Sequence, residues 1–194
     1  MPIQKTSKTD ILHRCWEVFH REGYNAASIS KLAEASGLGK PGLLHHFGSK
    51  EQLMQAVLEY AREQFHAYVL SVAQEDLPPE QRLEKLLRRQ NRLAKYERRG
   101  CFFANIALET GRDEHFNPLI TELFEAWQQT VAGLFERITT PDNARQMAYR
   151  LLLEYEGAVT MYKLSNDTAH LEGIVQRAVQ YFQQHSETQT ITHV

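Results

Sequence analysis

Long apolar runs are absent from this chain of 194 residues, and cysteine is scarce. No segment reaches the roughly 20 apolar residues that a membrane-spanning helix needs, and residues 1–10 are polar, unlike a signal peptide. We therefore expect a cytoplasmic protein with no membrane partner. The two cysteines, Cys15 and Cys101, are too few for the disulfide framework of a small secreted domain.

Sequence motifs of the common catalytic and metal sites are missing as well. Neither G-x-S-x-G nor H-E-x-x-H occurs, the nine histidines are scattered, and the cysteines lack zinc-ligand spacing. His45 and His46 are adjacent, but this pair suits the groove of a nucleic acid better than a metal ion. We therefore expect no catalytic residues, no metal and no cofactor.

Charge is unevenly distributed along a chain whose formal net charge is only −2. Residues 1–50 carry seven lysines and arginines against four acidic residues, whereas the remainder carries 15 against 20. A basic segment on an acidic body approaches DNA in a preferred orientation and with a salt-dependent affinity. The excess of basic over acidic residues in 1–50 is modest. These charges would therefore also fit an ordinary solvated surface that contacts no nucleic acid.

Residues 28–50 predict two short helices joined by a glycine turn. Ser28 suits the N-cap of the first helix, and Gly37 ends it where a left-handed conformation is needed. Pro41 suits the first turn of the second helix, because a backbone N–H has no helical partner there. Leu43 can anchor the second helix on the first, which leaves its other face outward. The outward residues are Lys40, Pro41, Gly42, His45 and His46.

The flanking segments extend this helix pair to a three-helix unit. Residues 10–24 place their apolar side chains on one helical face and end near Gly23. Ser49 and Gln52 have the spacing of a capping box at the start of a long helix. A supporting helix on one side and a long helix on the other favour a helix-turn-helix, whose second helix enters the major groove, over plain helix packing.

Three segments appear in a characteristic order between residues 8 and 53. They read I-L-x-x-C-x-x-x-F-x-x-x-G-Y, then S-I-x-x-L-A-x-x-x-G-L, then K-P-G-L-L-H-H-F-x-S-K-E-x-L. Together they resemble the N-terminal domain of TetR-type (TetR/AcrR family) transcriptional regulators. Function is inferred here from a motif and from analogy with that family.

The resemblance implies an all-α protein of about nine helices, with a helix-turn-helix domain at residues 1–50 and a C-terminal ligand-binding and dimerisation domain at 51–194. It also implies a homodimer, usually a repressor, that binds a palindromic operator in double-stranded DNA and is released by a small-molecule inducer. The expected DNA contacts are Ser28, Lys40, Pro41, Gly42, His45, His46 and Lys50.

Three positions depart from the family pattern. Leu44 stands where the family usually has Tyr, and Gly39 and Gly42 stand where Ser and Thr are frequent. Hydroxyls that would contact phosphate or base are thereby lost, so we expect the basic and imidazole side chains nearby to contribute more. Lys50 is expected on a phosphate at the start of the long helix.

Beyond residue 50 the pattern is helical throughout. A long helix is predicted over 50–74 and is broken at Pro78-Pro79. An amphipathic helix and a short helix over 102–109 follow. Asn117-Pro118 and Thr140-Pro141 each combine an N-cap with a proline in the first turn, and so predict the next two helix starts.

Residues 147–164 carry apolar side chains on two faces, which is more than one core can cover. One face should pack inside the subunit and the other against a second copy, with the last helix completing a four-helix bundle about a two-fold axis. Packing of both helices inside a monomer is the alternative. The predicted dimer contacts are Leu153, Gly157, Met161, Leu164, Ile174 and Ala178.

Aromatic residues after residue 60 are numerous enough to line an apolar ligand cavity with a few polar tips. Asn105 and Glu109, one helical turn apart, would orient a ligand there or would form a surface pair. We expect an aromatic, weakly polar or cationic inducer. The predicted lining is Phe65, Tyr68, Phe103, Asn105, Glu109, Phe124, Trp127 and Tyr155, although each aromatic taken singly also fits an ordinary core.

Two alternative functions remain open. The segment from Gly100 to Asn105 resembles a Gly-Cys segment of one subset of the family, and in a few members that cysteine senses electrophiles. Cys101 follows two arginines, which would favour a reactive thiolate, but an inert packing role is the alternative. A helix-turn-helix protein that shapes DNA without any ligand is the second alternative, and it predicts weak sequence preference.

Overall fold

A computed structural model describes residues 7–191, with side chains described as far as residue 184. Within that range the chain forms nine α-helices and two short 3₁₀ segments, Leu70–Gln74 and Tyr96–Arg98, and no β-strand. The helices are α1 Lys8–Ala26, α2 Ile29–Ser36, α3 Lys40–Phe47, α4 Lys50–Tyr68, α5 Pro79–Lys95, α6 Phe102–Thr110, α7 Asn117–Phe135, α8 Pro141–Ser165 and α9 Ala169–Ile191. The all-α prediction is confirmed, and the outermost residues of the two predicted domains lie outside the described range.

Most helix-start and helix-stop signals predicted from the sequence act as expected, whereas Asn117, predicted as an N-cap, is the first helical residue of α7. The Ser28 side chain accepts the backbone N–H of the third residue of α2 at 3.3 Å. Gly37 follows α2 in the left-handed conformation, with φ 75°. Pro41 lies in the first turn of α3, and Thr140 caps α8. Ser49 accepts the N–H of Gln52 at 3.0 Å at the start of α4.

The long helix α4 is shorter than predicted, because it ends at Tyr68 and gives way to a 3₁₀ segment. Arg89 on α5 donates to the Tyr68 carbonyl at 2.8 Å, and Arg82 donates to the Ala73 carbonyl at 3.0 Å. These guanidinium groups satisfy carbonyls that would otherwise lack partners where the helix ends. The end of α4 is therefore set by residues that follow it by many positions in the sequence.

The chain divides into two compact units. Unit 1 comprises the described residues as far as Gln64 together with Phe102–Glu122, and unit 2 comprises Phe65–Cys101 together with the described residues from Leu123 onwards. Unit 1 therefore contains α6 and the start of α7 in addition to the predicted DNA-binding helices. The functional boundary between residues 50 and 51 stays a prediction.

Each unit has its own buried apolar core. In unit 1, Cys15 is fully buried beside other apolar residues of α1, and burial raises the pKa of its thiol to about 11, as the pKa of an inert packing cysteine should be. In unit 2, Trp127, Tyr155 and Phe182 are the largest of the core side chains that are less than 2% exposed. None of the described helices combines the length and apolar character that membrane crossing requires.

Candidate nucleic-acid interface

Helix α3 is held by one buried residue and presents a polar face. Leu43 is 1% exposed, whereas Lys40, His45 and His46 are exposed. Pro41 is exposed as well, and Gly42 is half-buried. Such an arrangement leaves an ammonium group and two imidazoles free to reach base edges or phosphates in a groove.

The turn before α3 and the start of α2 are both tightly organised. The N–H of Leu38 donates to the Ala33 carbonyl at 3.1 Å, so the chain reverses directly after α2. Ser28 is exposed at the N-terminus of α2, where helix N–H groups and the helix dipole favour a phosphate. The two predicted contact regions, Ser28 and the face of α3, both lie in unit 1.

Lys50, the remaining predicted DNA contact, interacts within unit 1. Its Nζ donates to the Asn25 carbonyl at 3.3 Å and lies 4.5 Å from the centre of the Tyr24 ring. Burial lowers the pKa of Lys50, and the Glu109 carboxylate opposes that effect. A phosphate contact by Lys50 would therefore compete with these interactions.

The junction between α1 and α2 makes a contact that the sequence analysis did not anticipate. Gly23 has φ 81° and ψ 170°, which breaks the helical backbone. The backbone N–H groups of Tyr24 and Asn25 then donate to the two carboxylate oxygens of Glu109, at 2.7 and 2.6 Å. Glu109 lies on α6, which packs against α1 within unit 1.

The predicted ligand lining is divided between the two units. Phe103, Asn105 and Glu109 belong to unit 1, whereas Phe65, Tyr68, Phe124, Trp127 and Tyr155 belong to unit 2. Glu109 binds backbone N–H groups, which corrects its predicted role as a group that orients a ligand. Trp127 is part of the core, where its indole N–H donates to Gln90 at 2.8 Å.

Glu156, which follows Tyr155 directly, is a candidate ligand-binding residue that the sequence did not predict. Burial raises the pKa of Glu156 to about 6, and a hydrogen bond with Cys101 opposes that rise. The Tyr155 hydroxyl and the Glu156 Oε1 atom are both buried without a hydrogen-bond partner in the described structure. Buried polar atoms are seldom left unpaired, so these two are available to a ligand or to water.

Helix α8 carries an exposed apolar face. Leu153 is 56% exposed, Met161 47% and Leu164 78%, and Gly157 lies among them on the surface. Tyr149, 52% exposed, extends this face and was missed, although it precedes Leu153 by four residues and so shares its side of the helix. Isolated exposed apolar residues are ordinary, whereas a row of them is typical of a surface that binds another protein.

Ile174 and Ala178 on α9 do not belong to that surface. They are only 1% and 5% exposed, and they lie in the core of unit 2, where α9 packs against α5 and α8. Their predicted place in a dimer interface is therefore corrected, because the apolar stripe of α9 is already covered within the subunit.

Two family models match the chain. That of the bacterial regulatory proteins of the TetR family matches residues 11–57, and that of the C-terminal domain of LmrA/YxaF-like transcriptional regulators matches residues 80–177.

The HTH-type transcriptional repressor AcnR of Corynebacterium efficiens is 37% identical over 51 residues, which are 26% of this chain and 27% of AcnR. The HTH-type transcriptional activator FasR of Mycolicibacterium smegmatis is 46% identical over 43 residues, 22% of this chain and 20% of FasR. The chain thus matches between a fifth and about a quarter of the length of these curated relatives.

Solved structures share the fold over nearly the whole chain. A TetR transcriptional regulator from Legionella pneumophila has a TM-score of 0.84 and 24% identity, covering 93% of this chain and 99% of its own. The transcriptional regulator FadR of Bacillus subtilis, solved in complex with stearoyl-CoA, has a TM-score of 0.71 and 16% identity, covering 90% and 96%. With the second family model spanning about half of the sequence, the chain belongs to the TetR family of bacterial regulatory proteins, whose members are transcription regulators and not enzymes.

Proposed function

We propose that this protein is a ligand-responsive repressor that binds a palindromic operator as a homodimer and is released by a small-molecule inducer. The observation that carries the proposal is the polar face of α3, with Lys40, His45 and His46 exposed on a helix anchored by Leu43. A helix presented in this way after a tight turn suits the major groove. The assignment as a repressor is based on the similarity to the repressor AcnR. FasR, which is also similar to this chain, is an activator and represents the alternative.

The apolar face of α8 supports the homodimer. The face consists of Tyr149, Leu153, Gly157, Met161 and Leu164, and its four side chains are each about half or more exposed. A two-fold axis places the same patch of both copies in contact, so one apolar face is sufficient to build the interface. Two copies then present two α3 helices, as a palindromic operator requires.

Buried polar groups of unit 2 are the evidence for a ligand-binding site. The Tyr155 hydroxyl and the Oε1 atom of Glu156 are buried without a hydrogen-bond partner in the described structure, and a ligand with hydrogen-bond donors would satisfy them. A carboxylate favours a cationic or donor-rich molecule. FadR binds stearoyl-CoA, so a ligand of quite different chemistry occupies another protein of this fold.

The experiment begins with selection of duplexes from a random-sequence pool by the purified protein. Fluorescence anisotropy then compares a selected duplex with a shuffled duplex of the same composition across a salt series, while light scattering gives the mass of the complex. A preference for the selected duplex and a mass of two protein chains per duplex are expected. Equal affinity for both duplexes would contradict sequence-specific regulation and favour an architectural protein.

Regulation through Cys101 is the second candidate function. The observation in its favour is that Cys101 is partly exposed, so an electrophile can reach a thiol whose hydrogen-bond partner is Glu156. Alkylation with iodoacetamide, read by mass spectrometry and followed by the anisotropy assay, tests it against Cys101→Ser. Release of DNA that Cys101→Ser prevents would support this candidate, and unchanged DNA affinity after complete alkylation would contradict it.

A further inference from the structure

The last turn of α1, which follows the kink at Gly23, presents two N–H groups to a single carboxylate. At Gly23 the conformation departs from the helix, so the next two N–H groups, those of Tyr24 and Asn25, bond to Glu109 instead of to helical carbonyls. Glu109 thus caps the last turn of α1 from a position some 85 residues further along the chain. Hydrogen bonds to an ionised carboxylate are among the stronger ones in proteins.

The Glu109 carboxylate lies very close to the backbone of Gly23. A Cβ atom on Gly23 would lie 2.5 Å from Oε2 of Glu109 and 3.0 Å from its Cδ, so only glycine leaves room for the contact. Gly23 also has a positive φ, which other residues rarely adopt. Glycine is therefore needed here twice, for the backbone turn and for the approach of Glu109.

The same junction is held from the start of α4. Lys50 donates to the carbonyl of Asn25 and lies over the ring of Tyr24, so the Asn25 residue is bound by a carboxylate at its N–H and by an ammonium at its C=O. Helices α4 and α6 thus both contact the last turn of α1, at Tyr24 and Asn25. The junction leads directly to Ser28, the N-cap of α2.

The helix that carries Glu109 is itself fixed against α1. The ring of Phe102 contacts the rings of Trp16 and His20, with centroids 6.1 and 5.4 Å apart. Phe103 and Ile106 are buried on the same helix. A carboxylate supplied by a packed helix holds its partners more precisely than one on a loop.

We propose that Glu109 is a positioning residue for DNA recognition. By fixing the backbone of Tyr24 and Asn25, its carboxylate sets the direction in which the chain leaves α1 and enters α2. Because α2 packs against both α1 and α3, this direction also sets the placement of α3. The inference rests on the proposed DNA-binding function. Glu109 itself touches no DNA in this proposal, because its effect passes through the junction.

The test compares Glu109→Ala and Glu109→Gln with the control Glu114→Gln. Glu114 is an exposed carboxylate of the same unit, and Glu114→Gln changes the net charge as Glu109→Gln does. Two quantities are measured: the exchange rates of the Tyr24 and Asn25 amide hydrogens by NMR, and the affinities for a selected duplex and for its shuffled form.

The expected effects are graded. In Glu109→Ala both amides should exchange at least about tenfold faster, because their acceptors are gone. Affinity for the selected duplex should fall about tenfold, while affinity for the shuffled duplex stays unchanged, since phosphate contacts alone determine it. Glu109→Gln, which retains one acceptor oxygen, should lose less, and Glu114→Gln should match the wild type.

Contrary results separate this inference from the proposed function. If the wild type prefers the selected duplex but Glu109→Ala binds it equally well, the positioning role is overturned alone. A wild type without any DNA preference overturns the proposed function and the positioning role together. If Glu109→Ala fails to fold, Glu109→Gln decides: unchanged amide exchange at Tyr24 and Asn25 overturns the inference, and faster exchange with loss of DNA preference supports it.

Discussion

The exposed sides of α3 and α8 differ in chemistry, although each helix rests on the buried core of its own unit. On α3 the exposed residues include Lys40, His45 and His46, whereas on α8 they include Leu153 and Leu164. Charged and imidazole groups suit a hydrated, anionic partner such as DNA. Apolar side chains gain free energy only where another apolar surface covers them. On these grounds we propose the exposed side of α3 as a nucleic-acid surface and that of α8 as a protein-binding surface.

The largest expected effect comes from charging the apolar face of α8. The double substitution Leu153→Glu with Met161→Glu should yield folded monomers, because two buried carboxylates would face their copies across the two-fold axis. Operator affinity should fall at least about 100-fold, since the two half-sites are no longer bound together. Light scattering and anisotropy measure the two effects. Gln176→Glu, an added charge at an exposed position of α9, is the control, and an intact dimer in the double variant would contradict the interface.

Ala178→Glu tests whether Ala178 lies in the core of unit 2 or in an interface between two copies. Ala178 is 5% exposed, so a carboxylate there would be buried in the core, and the variant should unfold rather than yield a folded monomer. Circular dichroism combined with light scattering distinguishes the two results. A folded monomeric Ala178→Glu would restore α9 to the interface.

Gly23→Ala should destabilise unit 1 without changing any residue of α3. The side chain would meet Glu109 at a backbone position with φ 81°, so a loss of about 1–3 kcal/mol in the free energy of unfolding is expected. Chemical denaturation measures it. Gly133→Ala is the matched control, because Gly133 lies within α7 with open space around it, and a small gain in stability is expected there. Equal effects of the two substitutions would contradict the special geometry of Gly23.

Substitutions on α3 should weaken DNA binding and leave the dimer unchanged. Lys40→Ala and His46→Ala should each reduce operator affinity about tenfold, within the range expected for one lost base or phosphate contact. Anisotropy measures affinity, and light scattering checks the dimer. His66→Ala, at an exposed position near the end of α4, controls for removal of an imidazole. If His46→Ala binds as tightly as the control, α3 does not face the groove.

The smallest expected effect concerns the buried side of α8. Burial raises the pKa of Glu156 from 4.5 to about 6, so the ionised form opposes folding above pH 6 and this penalty disappears below pH 4.5. Glu156→Gln should therefore be more stable than the wild type at pH 8, by about 1 kcal/mol after allowance for screening by solvent. The difference should vanish near pH 4.5. Thermal unfolding across pH measures it, and a difference that does not change with pH would contradict the burial of an ionisable carboxylate.

Local signals in the sequence were sufficient to predict the helix-turn-helix. Ser28, Gly37 and Pro41 act on their own helix ends through backbone geometry and hydrogen bonds within a few residues, so the printed sequence contains all that they need. The exposed row on α8 was also predictable, because a helix with apolar residues on two faces can cover only one of them.

Long-range contacts explain what could not be predicted. The end of α4 at Tyr68 depends on Arg89, and the junction after Gly23 depends on Glu109, which no local pattern connects to it. The burial of Ile174 and Ala178 depends on how α9 packs against α5 and α8. An apolar stripe shows that a helix face is covered, but it does not tell whether the same subunit or a second copy covers it.

Binding should be measured to a selected duplex with two inverted half-sites and to the same duplex with one half-site scrambled. We expect one homodimer on the intact duplex and a loss of at least about 100-fold in affinity when one half-site is scrambled. Equal affinity for the two duplexes would show that two copies of α3 do not bind a palindromic operator together.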